Sequence, residues 1–268
     1  MQWVIGACGA LLVAGAAYYK QSLSLSGMIA AVIMGTIYFG AGNAFWFGIL
    51  LIFFISSSLL SRLHHEDKEE LEQTYDKTGR RDAGQVFANG GLGMLVVLAN
   101  ALYPHILWEY LFLGVMATVT ADTWATELGT LSTRPPRSVL TGKVMPTGAS
   151  GGVSLLGTTA AAGGGALIGF ASWLLLLASG MGDRSIIGLT LAGLIGGIAG
   201  AFADSFLGAT VQRMNRCTVC GREVEGSRHC NSPTVQSRGW KWMNNDEVNF
   251  ISSLLGGLVA LVIGVIIG

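Results

Sequence analysis

The chain has 268 residues, of which 51% are hydrophobic and only 12% charged, with no net formal charge and a mean hydropathy of +0.55. A soluble domain carries roughly 25% charged residues, so this composition excludes an ordinary soluble enzyme and points to spanning helices. The charge balance also excludes the whole-protein attraction expected of a nucleic-acid binder.

Eight apolar segments follow in chain order, at about 2–19, 23–40, 43–60, 84–103, 106–126, 150–178, 186–208 and 248–268. Most approach the roughly 20 residues that cross a bilayer. The sixth is longer and is expected to begin outside the hydrocarbon. The expected fold is therefore all-α, a polytopic membrane bundle of about eight transmembrane helices that forms one domain over residues 1–268. The N-terminus "MQWVIGACGA" has no basic stretch of the kind that opens a signal peptide, so the first helix is expected to remain. Gly193/Gly197 and Gly196/Gly200 recur at four-residue spacing, which reads as close helix packing.

Lysine and arginine set the orientation. Of the 16 such residues, all but Arg184 lie in the first, third, fifth and seventh connections. This predicts an integral, multi-pass protein with both termini outside and its long polar connections in the cytoplasm. Those connections include a charged linker at 61–81 and a Cys/His-containing loop at 210–245. In a prokaryote the membrane would be the plasma membrane.

Six acids lie in or beside spans on the basic side: Asp82, Asp122, Glu127, Asp204, Asp246 and Glu247. Intramembrane carboxylates are costly and are functional candidates by default. Asp82 and Glu247 serve equally well as helix-end charges reaching interfacial water. Asp122 and Asp204 sit among small residues inside apolar runs, and "ATVTADTWATELG" and "AGAFADSFLGATVQ" share a pattern that two facing half-sites would show. On a straight helix Asp122 and Glu127 point about 140° apart, so either the helix breaks near Thr126 or Glu127 has another role. Carboxylates with water and phosphate oxygens suit Mg²⁺.

In "VMPTGASGGVSLLGTT", Gly148, Gly151 and Gly152 form a turn with hydroxyls at Ser150 and Ser154, opening into the sixth span. Such a turn at a helix N-terminus offers free N–H groups to a phosphate, although it also serves as a plain helix start. Arg134, Arg137 and Lys143 lie close by in sequence. In the seventh connection Cys217 and Cys220 form Cys-x-x-Cys, followed by the adjacent His229 and Cys230. Four potential ligands suggest structural Zn²⁺, the alternative being reduced thiols in a folded cytoplasmic loop. Adjacent ligands are unusual, because neighbouring side chains diverge. Trp240 and Trp242 suit an interfacial belt, and Asn244, Asn245, Asp246 and Asn249 at the entry of the last span need hydrogen-bond partners or a ligand.

The stretches "RRDAGQVFANGG" (80–91), "ADTWATELG" (121–129), "PTGASGGVSLLGT" (146–158), "ADSFLGATVQ" (203–212) and "WMNNDEVN" (242–249) together resemble the integral membrane family that includes the plant phytyl-phosphate kinase of vitamin E synthesis, with related vertebrate and bacterial members. The resemblance covers most of the chain from residue 80 onward, while the first three spans match in hydropathy alone. It implies transfer of a phosphoryl group from a nucleoside triphosphate, CTP first among them, to an isoprenoid monophosphate lipid such as phytyl phosphate. On that basis Asp122, Asp204, Glu127 and Asp246 are expected to hold Mg²⁺. The 148–152 turn, with Ser150, Ser154, Lys143 and Arg137, is expected to hold phosphates. Arg80 and Arg81 would clamp the acceptor phosphate, and Asn89, Asn244, Asn245 and Asn249 would give polar support. Two other readings stay open: a CTP-dependent cytidylyltransferase acting on a lipid phosphate, and an ion-coupled transporter.

Overall fold

A computed structural model describes residues 1–62, 79–181 and 184–267. Most of the charged linker expected at 61–81 therefore lies outside the described residues. Among the described residues eight long helices form the bundle: α1 (Gln2–Tyr19), α2 (Leu25–Ile37), α3 (Ala44–Arg62), α4 (Ala83–Leu102), α5 (Ile106–Gly129), α6 (Leu155–Ala178), α7 (Ile186–Thr210) and α8 (Asn245–Ile267). A π-helical turn, Tyr38–Gly42, extends α2. Side-chain caps mark several starts. Ser24, Ser154 and Ser185 each accept the N–H three residues on, and Asp82 and Gln85 form a reciprocal capping box ahead of α4. The sixth span starts at Leu155 rather than 150 because Gly152 and Val153 are taken into a strand and Ser154 into the cap.

Seven of these helices are long and apolar enough to cross a membrane; α5 is the eighth helix and is not among them. Glu109, Asp122 and Glu127 lower its hydropathy, and its surroundings explain why it carries them. Residues Glu109 to Ala121 are all buried, and α5 packs on α6, α7, α8, α4 and α3. It is the axis of the bundle and is surrounded by protein. Large apolar side chains such as Leu12, Ile33, Leu59, Leu95, Leu174 and Val262 are exposed on the other helices, as a lipid-facing surface requires.

Glycine sets the spacing. A Cβ on Gly165 would meet the Gly193 carbonyl oxygen at 2.6 Å, and one on Gly193 would meet the Gly165 oxygen at 2.5 Å. The two backbones therefore touch where α6 crosses α7. Arg184, the exception to the charge rule, is paired: its Nε lies 3.4 Å from Glu109 Oε2.

The polar connections are more ordered than the hydropathy pattern shows. Between α5 and α6, β1 (Arg137–Ser138) pairs antiparallel with β2 (Gly152–Val153). Between α7 and α8, β3 (Met214–Cys217), β4 (Glu223–Val224), β5 (Arg228–His229) and β6 (Ser232–Arg238) form an antiparallel sheet of order β4-β3-β6-β5. The helical bundle thus carries a small β cap at one end.

Candidate functional site

A cavity of about 530 Å³ opens at the end of the bundle where the basic connections lie. Its walls come from α3, α4, α5, α6, α7 and α8 together with the 147–153 turn. Asp122 is seven residues from the C-terminus of α5, and Asp204 is six from that of α7. At 1.5 Å per residue both acids lie about 10 Å below the helix ends.

One wall is acidic. Asp122 and Asp204 are close enough for like-charge repulsion between them, and the shared sequence pattern around them corresponds to two helices facing one cavity. Ser252 Oγ on α8 donates to Asp204 Oδ2 at 3.1 Å. Among the described residues no side chain donates a hydrogen bond to Asp122. Asn245 and Asn249 line this wall, one turn apart on α8. Asp246 does not line it. Its N–H donates to Asn244 Oδ1 at 2.7 Å, and Glu247 Oε2 accepts the Asn244 N–H at 2.9 Å, so these residues shape the start of α8.

A second wall carries a cation, Arg81. Arg81 N–H donates to the Ser22 carbonyl at 3.1 Å, and the Arg81 carbonyl accepts from Ser24 N–H at 3.0 Å. These bonds fix its backbone against the start of α2. Its guanidinium lies 6.0 Å from the ring centroids of both Phe53 and Phe54. Burial lowers the Arg81 pKa and the Glu127 charge opposes that shift. The α5 helix runs unbroken to Gly129, so Glu127 points away from Asp122 and toward Arg81 and Ser61. Asn89 and Gln85 share this wall. Beneath Arg81 an apolar slot of about 60 Å³ continues between α1, α2, α3 and α4, lined by residues such as Ala31, Met34, Leu50 and Phe53.

The glycine turn closes the roof. Gly148 and Gly151 have φ of +77° and +85°, and a Cβ on Gly151 would meet Ala209 Cβ at 2.5 Å. Glycine is required there by both conformation and space. Ser150 Oγ donates to Gln212 Oε1 at 2.7 Å, and Gln212 Nε2 donates to Glu225 Oε1 at 2.9 Å. The turn is thereby tied to the β cap. Gly148, Ser150, Gly151, Gly152 and Ser154 all line the cavity, with Ser154 Oγ also capping α6 at 3.0 Å from Gly157 N.

Three predicted bases stand outside the lining. Arg80 and Lys143 are exposed, and Arg137, also exposed, donates to the Gly142 carbonyl at 2.9 Å. Conversely, the sequence reading missed Ser58, Ser61, Gln85, Gln212, Glu225 and Ser252. The serines interrupt apolar spans near their polar ends, a usable signal. Nothing in the sequence marks Glu225 apart from other loop acids.

Cys217, Cys220, His229 and Cys230 form a separate cluster in the β cap, their ligand atoms all within 4.8 Å of one another. The Cys220 backbone N–H, with further help from His229 and Val219, draws the Cys217 thiol down to about 6.

Bundle and cavity together define a polytopic helical membrane protein with a polar chamber at one membrane face. The chain belongs to the integral membrane protein family DUF92, whose profile it matches over residues 8–257. The resemblance read from the five motifs is thus borne out. Protein PGR of Arabidopsis thaliana is 32% identical over 277 aligned residues, covering 96% of this chain and 94% of that protein. An uncharacterized membrane protein of Methanocaldococcus jannaschii is 31% identical, covering 91% and 87%. Protein VTE6, chloroplastic, of Arabidopsis thaliana is 24% identical, covering 94% and 68%. No solved structure matches the chain significantly.

Proposed function

We propose that the chain is a membrane phosphotransferase that moves the γ-phosphoryl group of a nucleoside triphosphate, CTP in the first instance, onto an isoprenoid monophosphate at the cytoplasmic face. The observation that carries this reading is the charge of the cavity. Four carboxylates (Asp122, Glu127, Asp204 and Glu225) and, among the described residues, one basic side chain (Arg81) line it. Glu127 and Glu225 have partners of their own, whereas Asp122 and Asp204 face each other with no basic side chain paired to either among the described residues. Two carboxylates in that position suit Mg²⁺ carrying phosphate oxygens. When bound, the ion would neutralise the negative charge of the nucleotide phosphates.

Asp122 and Asp204 would hold the ion, with Asn245 and Asn249 beside them. The 148–152 turn would place backbone N–H groups near the nucleotide phosphates. Arg81, beside two aromatic rings and fixed through its backbone, would orient the acceptor phosphate, while the slot below takes the first part of the isoprenoid chain. An acceptor oxygen attacks the γ-phosphorus, the bond to the β–γ bridging oxygen breaks, and the nucleoside diphosphate leaves. The acceptor is already an anion at neutral pH, so no general base is required. Arg80, Arg137 and Lys143, outside the lining, attract the nucleotide at longer range.

The transporter reading draws less support, because α5 and α7 pass the acids unbroken, whereas transporter sites typically use discontinuous helices near the midplane. The deciding assay incubates purified protein with Mg²⁺, labelled CTP, ATP or GTP, and isoprenoid monophosphates of several lengths. Nucleoside diphosphate with lipid diphosphate is the expected result. Pyrophosphate with a CDP-lipid would assign the cytidylyltransferase instead, and neither product would reject enzymatic transfer to these lipids.

A further inference from the structure

The β cap holds four soft or borderline ligands in one place, some distance in sequence from every residue of the proposed phosphate chemistry. We infer that Cys217, Cys220, His229 and Cys230 bind one structural zinc ion. The inference stands on the cap alone and does not depend on what reaction the cavity performs.

The local backbone is arranged for convergence. Cys217 ends β3, and Gly221, with φ +74°, turns the chain directly after Cys220. The Val219 N–H donates to Cys217 Sγ at 3.4 Å, and the Gly221 N–H to the Cys217 carbonyl at 3.0 Å. This is a knuckle, a tight turn that points two sulfurs the same way while backbone N–H groups support a thiolate.

The second pair resolves the difficulty posed by adjacent ligands. His229 pairs with Ser232 across β5 and β6, which leaves Cys230 and Asn231 as a two-residue hairpin turn. Their φ values are +50° and +56°, as a type I′ turn needs. Asn suits that conformation; Cys does not. A left-handed Cys230 folds its side chain back toward its neighbour. Its Sγ lies 3.2 Å from His229 Nδ1, and Cys220 Sγ lies 3.5 Å from the same nitrogen. Tetrahedral zinc, with bonds of about 2.3 Å to sulfur and about 2.0 Å to nitrogen, sets such pairs about 3.5 Å apart. A strained turn residue that brings a thiol to this distance is explained by ligation.

Three thiols and an imidazole fit zinc better than magnesium, which prefers oxygen. The basic-connection rule puts the cap in the reducing cytoplasm, where a disulfide is disfavoured. The ion would join the β3–β4 turn to the β5–β6 turn. Between them run Glu225 and Gly226, whose carbonyls accept Asn215 Nδ2 at 2.8 and 3.1 Å. Zinc at the far end of the sheet would therefore steady Glu225 at the cavity rim.

The test is metal analysis of the full chain, purified in detergent with reductant and without chelator. About one zinc per chain is expected, unchanged in Cys8→Ser and reduced at least tenfold in Cys220→Ser. Cys230→Asn is the decisive variant, because Asn relieves the turn and folding is retained while a ligand is removed. It should lose zinc at least tenfold with an unchanged elution profile. Maleimide labelling of the cap thiols should require chelator. Iron in place of zinc, no metal even after Zn²⁺ is offered, full zinc in Cys230→Asn, or labelling that requires reductant alone would each overturn the inference.

Discussion

Ser61 Oγ, in the last turn of α3, donates to Glu127 Oε1, in the last turn of α5, at 2.5 Å. The bond holds Glu127 on the Arg81 side of the cavity. Asp122, five residues earlier on the same unbroken helix, points toward Asp204. One short motif therefore supplies two walls, and its two acids are expected to differ in function.

Neutralising each acid should separate those roles. Asp122→Asn and Asp204→Asn each remove a charge that no basic side chain among the described residues pairs with, so turnover should fall on the order of 100-fold or more while the fold is retained. Glu127→Gln keeps the shape but removes the charge that supports Arg81. It should raise KM for the lipid phosphate several-fold and leave the nucleotide KM within about twofold. Steady-state kinetics with each substrate varied in turn would show the split; an equal loss in both KM values for Glu127→Gln would refute it.

Arg81 should not tolerate lysine. The guanidinium is planar, lies 6.0 Å from the ring centroids of Phe53 and Phe54, and can hold a phosphate with two parallel donors, a fork that an ammonium lacks. Arg81→Lys is expected to raise the lipid-phosphate KM about tenfold, equivalent to about 1.4 kcal/mol. Arg80→Lys, on an exposed side chain, should change little. Equal effects in both variants would remove Arg81 from the site.

The slot below Arg81 gives a prediction about chain length. Ala31 lies in its wall, and Ala31→Leu would occupy much of its volume of about 60 Å³. The preferred isoprenoid should become shorter, read as a shift in relative kcat/KM across a series of monophosphates, with the nucleotide KM unaffected. An unchanged profile would place the chain elsewhere, for instance along the exposed Phe202 at the opposite rim.

Metal dependence follows from the same geometry. Activity should vanish on exhaustive chelation and return with Mg²⁺ or Mn²⁺, because the cavity donors are oxygens. In Asp204→Asn the Mg²⁺ concentration for half-maximal activity should rise at least tenfold. A wild-type titration curve in that variant would argue against Asp204 as a ligand.

These contrasts show what could be read from sequence and what could not. The eight helices were legible because apolar runs of spanning length alternate with basic connections. Asp122 and Asp204 were legible because an acid among Gly, Ala and Thr in such a run is expensive. Arg80 and Arg81 could not be told apart, since they are identical neighbours. They differ through the pairing of Arg81 with Ser22 and Ser24, far away in the chain. The β cap was missed because its strands are two to seven residues long and show no clean apolar alternation. Its register comes from turns and from side chains such as Asn215.

Two glycines offer a final test, since the same substitution should fail for different reasons. On α2, a Cβ at Gly27 would run into the Arg81 carbonyl oxygen. Gly27→Ala must displace the backbone segment that holds Arg81. At the α6–α7 crossing, a Cβ at Gly193 would meet Gly165 O at 2.5 Å and Gly169 Cα at 2.8 Å. Here both contacts are helix backbone in the core, and overpacking of that kind costs about 1–3 kcal/mol. Gly193→Ala should therefore lower Tm in detergent by several degrees and leave both KM values near wild type in the folded fraction. Gly27→Ala should also lower Tm and, unlike Gly193→Ala, raise the lipid-phosphate KM, as Arg81→Lys does. If Gly27→Ala instead leaves that KM near wild type, as Gly193→Ala should, the Arg81 segment is a packing element, and its bonds to Ser22 and Ser24 do not serve to position the guanidinium.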